Sequence, residues 1–283
     1  MNAVTSIAES VAAGARALAP HSDSPRLDAE LLLGKVLGLP RSALIARDDE
    51  AVAAQYARAY EELIAQRAHG VPVAYLTGSR EFWSLALDVT PAVLVPRPET
   101  ESLIERALEL KSADEPCAVL DLGTGSGAIA LAIAAERPRW QVTGVDISPQ
   151  ALEVAARNSR KLELARVQWR LGYWFDAVPG ERFDLIVANP PYIATADPAL
   201  ATLAAEPGIA LHAGPTGLEA LTAIIAAAPL HLRPRGWLAV EHGAAQALEV
   251  ARLLERRGFA APRTYPDTFG KSRVTLATIH TPH

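Results

Sequence analysis

The sequence predicts an α/β protein, a parallel sheet with helices on both faces, preceded by a small helical domain and a β-hairpin linker. Three observations predict it. From Pro116 onward, short apolar runs alternate with helical segments, the pattern of strands joined by crossover helices. Before about residue 75, apolar residues recur at helical spacing. Between these regions polar and apolar residues alternate, as strands do, and Thr90-Pro91 supplies a turn. The expected boundaries are 1–75 for the helical domain, 76–110 for the hairpin and linker, and 111–283 for the α/β domain.

Each element has a local reason. Residues 3–18 are alanine-rich and end before Pro20, a first helix. Ser24-Pro25 reads as an N-cap followed by proline at the first helical position. In that second helix Leu27, Leu31 and Lys35 share one face, Leu32, Val36 and Leu39 share the next, and Pro40 stops it. A third helix covers 49–69, with Val52, Tyr56, Tyr60 and Leu63 at helical spacing and Gly70 and Pro72 closing it. Residues 81–89 read as a strand and 92–95 as its partner, with the turn at Thr90-Pro91. After Pro96-Arg97-Pro98 a helix spans 99–110. Then follow a strand at Ala118–Leu122, a helix at Ala128–Glu136, a strand at 141–145 and a helix at Pro149–Lys161. Strands at 167–171 and Phe183–Ala188, a helix at 217–227, a strand at 236–241, a helix at 245–257 and a strand at 273–279 complete the order.

Composition narrows the function. Half of the 283 residues are hydrophobic, ample for a core. There are 27 Lys and Arg against 32 Asp and Glu, a net charge of −5, which argues against a basic surface that lives on nucleic acid. A single cysteine, Cys117, excludes an internal disulfide and a cysteine metal cluster; it reads as core. The seven histidines include no His-x₃-His pair on a clear helix, so no metal site is expected. No targeting segment is visible, and the longest apolar stretches are too short to span a bilayer. A soluble cytoplasmic protein is the expectation.

Ligands of such sheets bind beyond the carboxyl ends of the strands, and the unusual residues sit there. Asp121-Leu122-Gly123-Thr124-Gly125-Ser126-Gly127 joins a strand to its helix. Its glycines permit close backbone approach to a ligand, and the helix N-terminus favours an anionic group. Asp146 ends the next strand, 23 residues after Gly123, where a carboxylate accepts from both hydroxyls of a ribose. With Ala128 as a third small residue the loop also fits a dinucleotide fingerprint, so NAD and S-adenosyl-L-methionine both satisfy it. Asp121 favours the second, because it is placed to hold the methionine ammonium, directly or through water. Beyond the third strand, Trp174 is a candidate to pack on adenine or to serve as a core or lid aromatic.

Asn189-Pro190-Pro191-Tyr192 follows the strand Phe183–Ala188. The prolines remove two donors, fix φ and push the residues before them toward extended geometry. The outcome is a stiff turn presenting an amide side chain and free carbonyls. It suits a planar –NH₂ held by two acceptors, the Asn189 side-chain oxygen and the Pro190 carbonyl, with Tyr192 placed to stack on the plane. Hydride transfer has no need of such a turn; transfer to nitrogen does.

Together these segments resemble the HemK family, the bacterial release-factor glutamine methyltransferases. The resemblance covers nearly the whole chain: the helical N-terminal domain, Pro96-Arg97-Pro98-Glu99-Thr100-Glu101, the glycine loop, Asp146, Asn189 to Tyr192, Glu241-His242-Gly243 and Asp267-Thr268-Phe269-Gly270-Lys271-Ser272-Arg273-Val274. It implies a Rossmann-like, class I S-adenosyl-L-methionine-dependent methyltransferase domain. The implied substrate is the glutamine of the Gly-Gly-Gln loop of class I peptide release factors, methylated on its side-chain nitrogen, with no direct nucleic-acid or membrane partner. By family motif Gly123, Thr124, Gly125, Ser126, Gly127, Asp146 and Trp174 line the cofactor site, Asn189 borders both ligands, and Asn189, Pro190, Pro191 and Tyr192 hold the glutamine. The N-terminal helices are expected to dock the protein substrate.

The chain departs from the family pattern at Tyr173, where many relatives carry an acidic residue, and at 211–217, which lacks the usual aspartates. Arg97 reads as part of a rigid corner and His242 as structural. Rival readings are an adenine-N6 nucleic-acid methyltransferase, which would need a flipped-out base and a basic recognition segment; a ribosomal-protein glutamine methyltransferase, from which Arg97 to Thr100 separate this chain; and a non-catalytic binding module.

Overall fold

Parallel strands with apolar residues on both faces form the core of the larger of two units in the computed structural model, which describes residues 5–279. The chain divides into two compact units, Met1–Ser79 with Thr202–Ala205, and Arg80–Ala201 with Glu206–His283.

The first unit is helical: α1 (Ile7–Leu18), α2 (Pro25–Leu37), α3 (Arg41–Ala46), α4 (Ala54–Ala68) and α5 (Val73–Thr77). Positions 3 and 4 of the expected first helix lie outside the described residues. Within them α1 starts at a capping box: the Glu9 N–H donates to Ser6 Oγ and the Ser6 N–H to the Glu9 carboxylate. A Cβ on Gly14 would lie 2.0 Å from the Tyr60 hydroxyl, so α1 and α4 touch there only through a glycine. Ser24 precedes α2 but does not cap it; its hydroxyl donates to Asp28 instead. The expected third helix begins five residues late, because Ala51 bridges to Ser6 and the Val52 N–H donates to Thr5 O. The short helices α3 and α5 were not foreseen.

The second unit opens with the hairpin β1 (Ser79–Phe82) and β2 (Leu85–Asp88), which corrects the sequence reading. The turn is Trp83-Ser84, both at positive φ (50° and 59°), and not Thr90-Pro91. Residues 92–95 are not a strand. Asn-Gly is the usual signal for such a turn. Here side chains take its place: the Trp83 N–H donates to Glu101 and its indole N–H to Glu136, each at 2.9 Å. Helix α6 (Glu101–Glu109) follows a single 3₁₀ turn, Pro98–Thr100.

The sheet contains β3 (Ala118–Leu122), β4 (Gln141–Asp146), β5 (Gln168–Leu171), β6 (Phe183–Ala188), β7 (Leu232–Glu241), β8 (Phe259–Pro266) and β9 (Ser272–Ile279), in spatial order β5-β4-β3-β6-β7-β9-β8. It is mixed: β9 runs antiparallel to β7 and β8. Strand β8 was missed because Pro262 and Pro266 interrupt its pattern; it lies at the sheet edge, where prolines are tolerated. Helices α7 (Ala128–Glu136), α8 (Pro149–Lys161), the single turn α9 (Ala199–Thr202), α10 (Glu219–His231) and α11 (Ala247–Arg256) complete the order. One face of the sheet packs Val119, Leu185 and Val187 with the apolar residues of α6 and α7; the other packs Leu120, Ile186 and Leu238 with those of α10 and α11. No helix among the described residues is long and apolar enough to cross a membrane.

Candidate active site

The register decides which residues meet. Leu122 pairs with Val145 on one side and Ala188 on the other. The next residues, Gly123, Asp146 and Asn189, therefore emerge side by side at the carboxyl edge of the sheet. They border a cavity of about 360 Å³, with Gly125, Trp174 and Pro191.

The glycine loop is held from below. The Gly123 and Thr124 N–H groups donate to Val145 O at 2.9 and 3.0 Å. Gly123 and Gly125 take positive φ, 71° and 55°, which an L side chain adopts only with strain. Asp146 accepts the Gly125 N–H at 2.8 Å on one carboxylate oxygen and the Ser148 N–H at 2.9 Å on the other. Burial raises its pKa despite those bonds. Thr124 and Ser126 are buried and turn inward: the Thr124 hydroxyl donates to Asp121, and Ser126 O accepts from Asn158 at 2.9 Å. Gly127 is packed beneath the loop; a Cβ there would lie 2.9 Å from the Trp169 ring. These three residues shape the loop and do not border the cavity.

Asp121 lies under the loop, fully buried, and burial pushes its carboxyl up to about 7 against the Thr124 hydrogen bond. Its Oδ1 has no hydrogen-bond partner. Trp174 is at φ 46° with its ring over Gly123, where an added Cβ would be 3.3 Å from Cζ3. Its indole nitrogen is also buried without a partner. Tyr173 borders the cavity beside it, the two ring centroids 5.4 Å apart. An orphaned carboxylate oxygen, a loop open to close approach, a carboxylate at the end of β4 and an aromatic wall together fit S-adenosyl-L-methionine: a cation, a carboxylate, a ribose and a flat base.

The second half of the site is a hydrogen-bonded chain behind Asn189. The Asn189 amide donates to Thr100 Oγ1 at 3.0 Å. The Thr100 hydroxyl bonds Glu241, and the Tyr192 hydroxyl donates to the same carboxylate at 3.4 Å. Glu241 is 1% exposed, its Oε2 has no partner, and burial pushes its pKa up to about 7 despite the Thr100 bond and nearby Arg273. Pro190 is buried and Tyr192 half-buried, next to Asn189 and Pro191, which border the cavity. Gln246 secures the turn, donating to Tyr192 O and Gly217 O, each at 3.0 Å.

Several contributors were assigned no site role from the sequence. Thr100 and Asn158 are buried polar residues whose partners lie far along the chain; Asn158 bonds Asp88 on both sides of its amide as well as Ser126. Val93 and Leu94, read as strand, form part of the cavity rim, as do Ile209, His212 and Gly214. The departure from the family pattern noted at 211–217 is what could have pointed to the last two. Arg97 pairs with buried Glu206, which also accepts the Val95 N–H at 3.1 Å, so it anchors the proline segment. Both ring nitrogens of His242 are engaged, with Gly243 O and the Thr275 hydroxyl, and burial lowers its pKa; its role is structural. Cys117 is in the core with its thiol pushed up to about 12 by burial.

A mixed sheet of this order, with a glycine loop after β3, an acid after β4 and an amide-bearing turn after β6, defines an α/β methyltransferase. A methyltransferase domain family matches residues 113–256, and the PrmC N-terminal domain family matches residues 9–78. Solved structures share the fold: a methyltransferase from Pyrococcus furiosus (TM-score 0.53, 19% identity, 70% of this chain and 90% of that one) and the 16S rRNA N2 G1207 methyltransferase of T. Thermophilus (0.55, 22%, 71% and 50%). Curated relatives narrow the class. The release factor glutamine methyltransferase of Xylella fastidiosa strain Temecula1 is 49% identical over 89% of this chain and 92% of its own length. That of Pseudomonas aeruginosa is 48% identical over 91% and 94%. The chain belongs to the release factor glutamine methyltransferase family, the protein-(glutamine-N5) methyltransferases.

Proposed function

We propose that this chain methylates the side-chain amide nitrogen of the glutamine in the Gly-Gly-Gln motif of class I peptide chain release factors, with S-adenosyl-L-methionine as donor. The observation that carries this reading is the Asn189 amide, at the cavity border with its nitrogen turned back to Thr100. Its Oδ1 remains to accept from a planar –NH₂. The Pro190 carbonyl is the second acceptor, and Pro191 and Tyr192 complete the glutamine site. Gly123, Gly125, Asp146, Trp174 and Asn189 hold the cofactor, Asp121 pairs with its ammonium, and Thr124, Ser126 and Gly127 keep the loop in shape. The bound cofactor supplies an electrophilic methyl on a sulfonium.

An amide nitrogen is a poor nucleophile because its lone pair is delocalised. Two acceptors on its N–H bonds polarise and orient it, and a fixed near-attack geometry supplies much of the remaining rate. No general base is needed before transfer, because the methylated nitrogen loses its proton readily. The helical N-terminal domain, residues 1–75, docks the release factor, 76–110 form the hairpin and linker, and 111–283 form the catalytic domain.

The test offers S-adenosyl-L-methionine with an unmodified class I release factor, a ribosomal-protein glutamine substrate and adenine-containing single-stranded DNA. Methyl transfer to the release factor alone supports the reading. Transfer to DNA or the ribosomal protein in preference would sink it.

A further inference from the structure

We propose that Thr100 and Glu241 are positioning residues that fix the donor–acceptor sense of the Asn189 amide, and that this sense selects a primary amide over a carboxylate in the substrate. The inference rests on the reading above and deepens it. A threonine hydroxyl has one proton to give. When Glu241 is ionised it can only accept, so Thr100 gives its proton there and the Thr100 oxygen accepts from Asn189, at 3.0 Å. Only the NH₂ end of Asn189 can meet that need, which leaves Oδ1 as the end free for the cavity. Thr100 is 4% and Glu241 1% exposed, so water does not compete for these bonds. The Tyr192 hydroxyl donates to Glu241 as well, which keeps the carboxylate in place and ties both ends of the Asn-Pro-Pro-Tyr turn to one buried acceptor.

The consequence is chemical. An amide carries acceptor and donor ends of nearly the same shape, and only its hydrogen bonds decide which end faces a ligand. With Oδ1 facing the cavity, a substrate N–H is stabilised, whereas a carboxylate meets a lone pair and has no proton to offer. With the amide reversed, the preference reverses. The glutamine and glutamate forms of a release factor differ only in this, so the polarity of Asn189 is what tells them apart.

The experiment measures the affinity of the protein for a class I release factor and for the same factor with its Gly-Gly-Gln glutamine replaced by glutamate. Wild type, Thr100→Val and Thr100→Ser are compared, with turnover and S-adenosyl-L-methionine affinity measured alongside. Wild type should favour the glutamine form by roughly tenfold, since an unmet buried polar contact costs about that much. Thr100→Val keeps the shape but frees the Asn189 amide. It should bring the ratio close to unity and lower kcat while cofactor affinity holds, and Thr100→Ser should restore the ratio. An unchanged ratio with normal turnover in Thr100→Val overturns this inference alone. So does equal loss of cofactor and of both release-factor forms in the two variants, the mark of a merely structural role. If wild type transfers no methyl to the glutamine, the underlying reading falls and this one with it.

Discussion

On the proposed reading, much of the chemistry rests on the single side chain of Asn189. Its place after an apolar strand and before two prolines was legible in the sequence; its partner Thr100, 89 residues earlier, was not. Tertiary hydrogen bonds leave no periodic trace, and Thr100 lies among prolines that read simply as a corner. Replacing Asn189 with Ala should lower kcat on the order of 100-fold, as loss of one positioned polar group does, while calorimetry finds S-adenosyl-L-methionine still bound; full turnover would remove the role assigned to it. Asp121 and Glu241 make a second, opposite kind of prediction. Burial pushes both carboxyls up to about 7, so the folded protein keeps protons that the unfolded chain has already released. The unfolded state then binds fewer protons, and stability falls as pH rises from the ordinary carboxylate range through about 7. Urea midpoints across that window should decline, and Asp121→Asn should flatten part of the slope; a rising midpoint in wild type would refute the assignment. Binding of the cofactor ammonium beside Asp121 favours the ionised carboxylate, so cofactor affinity should tighten over the same window.

Elements were read best where apolar runs carried the signal. The strands Ala118–Leu122 and Phe183–Ala188 and the helices Ala128–Glu136 and Pro149–Lys161 lie where the sequence put them. Tertiary contacts overrode local signals elsewhere. Thr90-Pro91 is a better turn by composition than Trp83-Ser84, yet the buried Phe82 and Leu87 and the bonds from Trp83 to Glu101 and Glu136 fix the hairpin at the latter. Ser84 is exposed at φ 59°, so Ser84→Gly should relieve left-handed strain and raise stability by about 0.5–1 kcal/mol, measured by thermal unfolding. Gly217 is the reverse case. Its φ is 79° and a Cβ would lie 2.7 Å from Tyr192 O. Gly217→Ala should cost about 1–3 kcal/mol and disturb the turn that carries Asn189, seen as a loss of kcat beyond the loss of stability.

At the scale of the whole molecule, the alternation of strands and helices foretold an α/β sheet, and a cavity lies at the strand ends, because helices on both faces leave only those ends open. The antiparallel β9 and the proline-bearing edge strand β8 escaped because periodicity reports burial, not direction. Part of the cavity rim comes from segments outside the strands and long helices, around 92–94 and 207–214, and such segments are legible only once the fold has brought them together. The central claim spans all three scales: the carboxyl edge of a sheet, a stiff turn and one amide oxygen direct a methyl group to a glutamine nitrogen. The measurement that tests it most directly is peptide mass spectrometry of a class I release factor incubated with the protein and S-adenosyl-L-methionine, the methyl localised by fragmentation. One added methyl on the side-chain nitrogen of the Gly-Gly-Gln glutamine, lost with Asn189→Ala while cofactor still binds, is the expected result. A methyl on any other residue, or an unmodified glutamine with the cofactor consumed elsewhere, would contradict it.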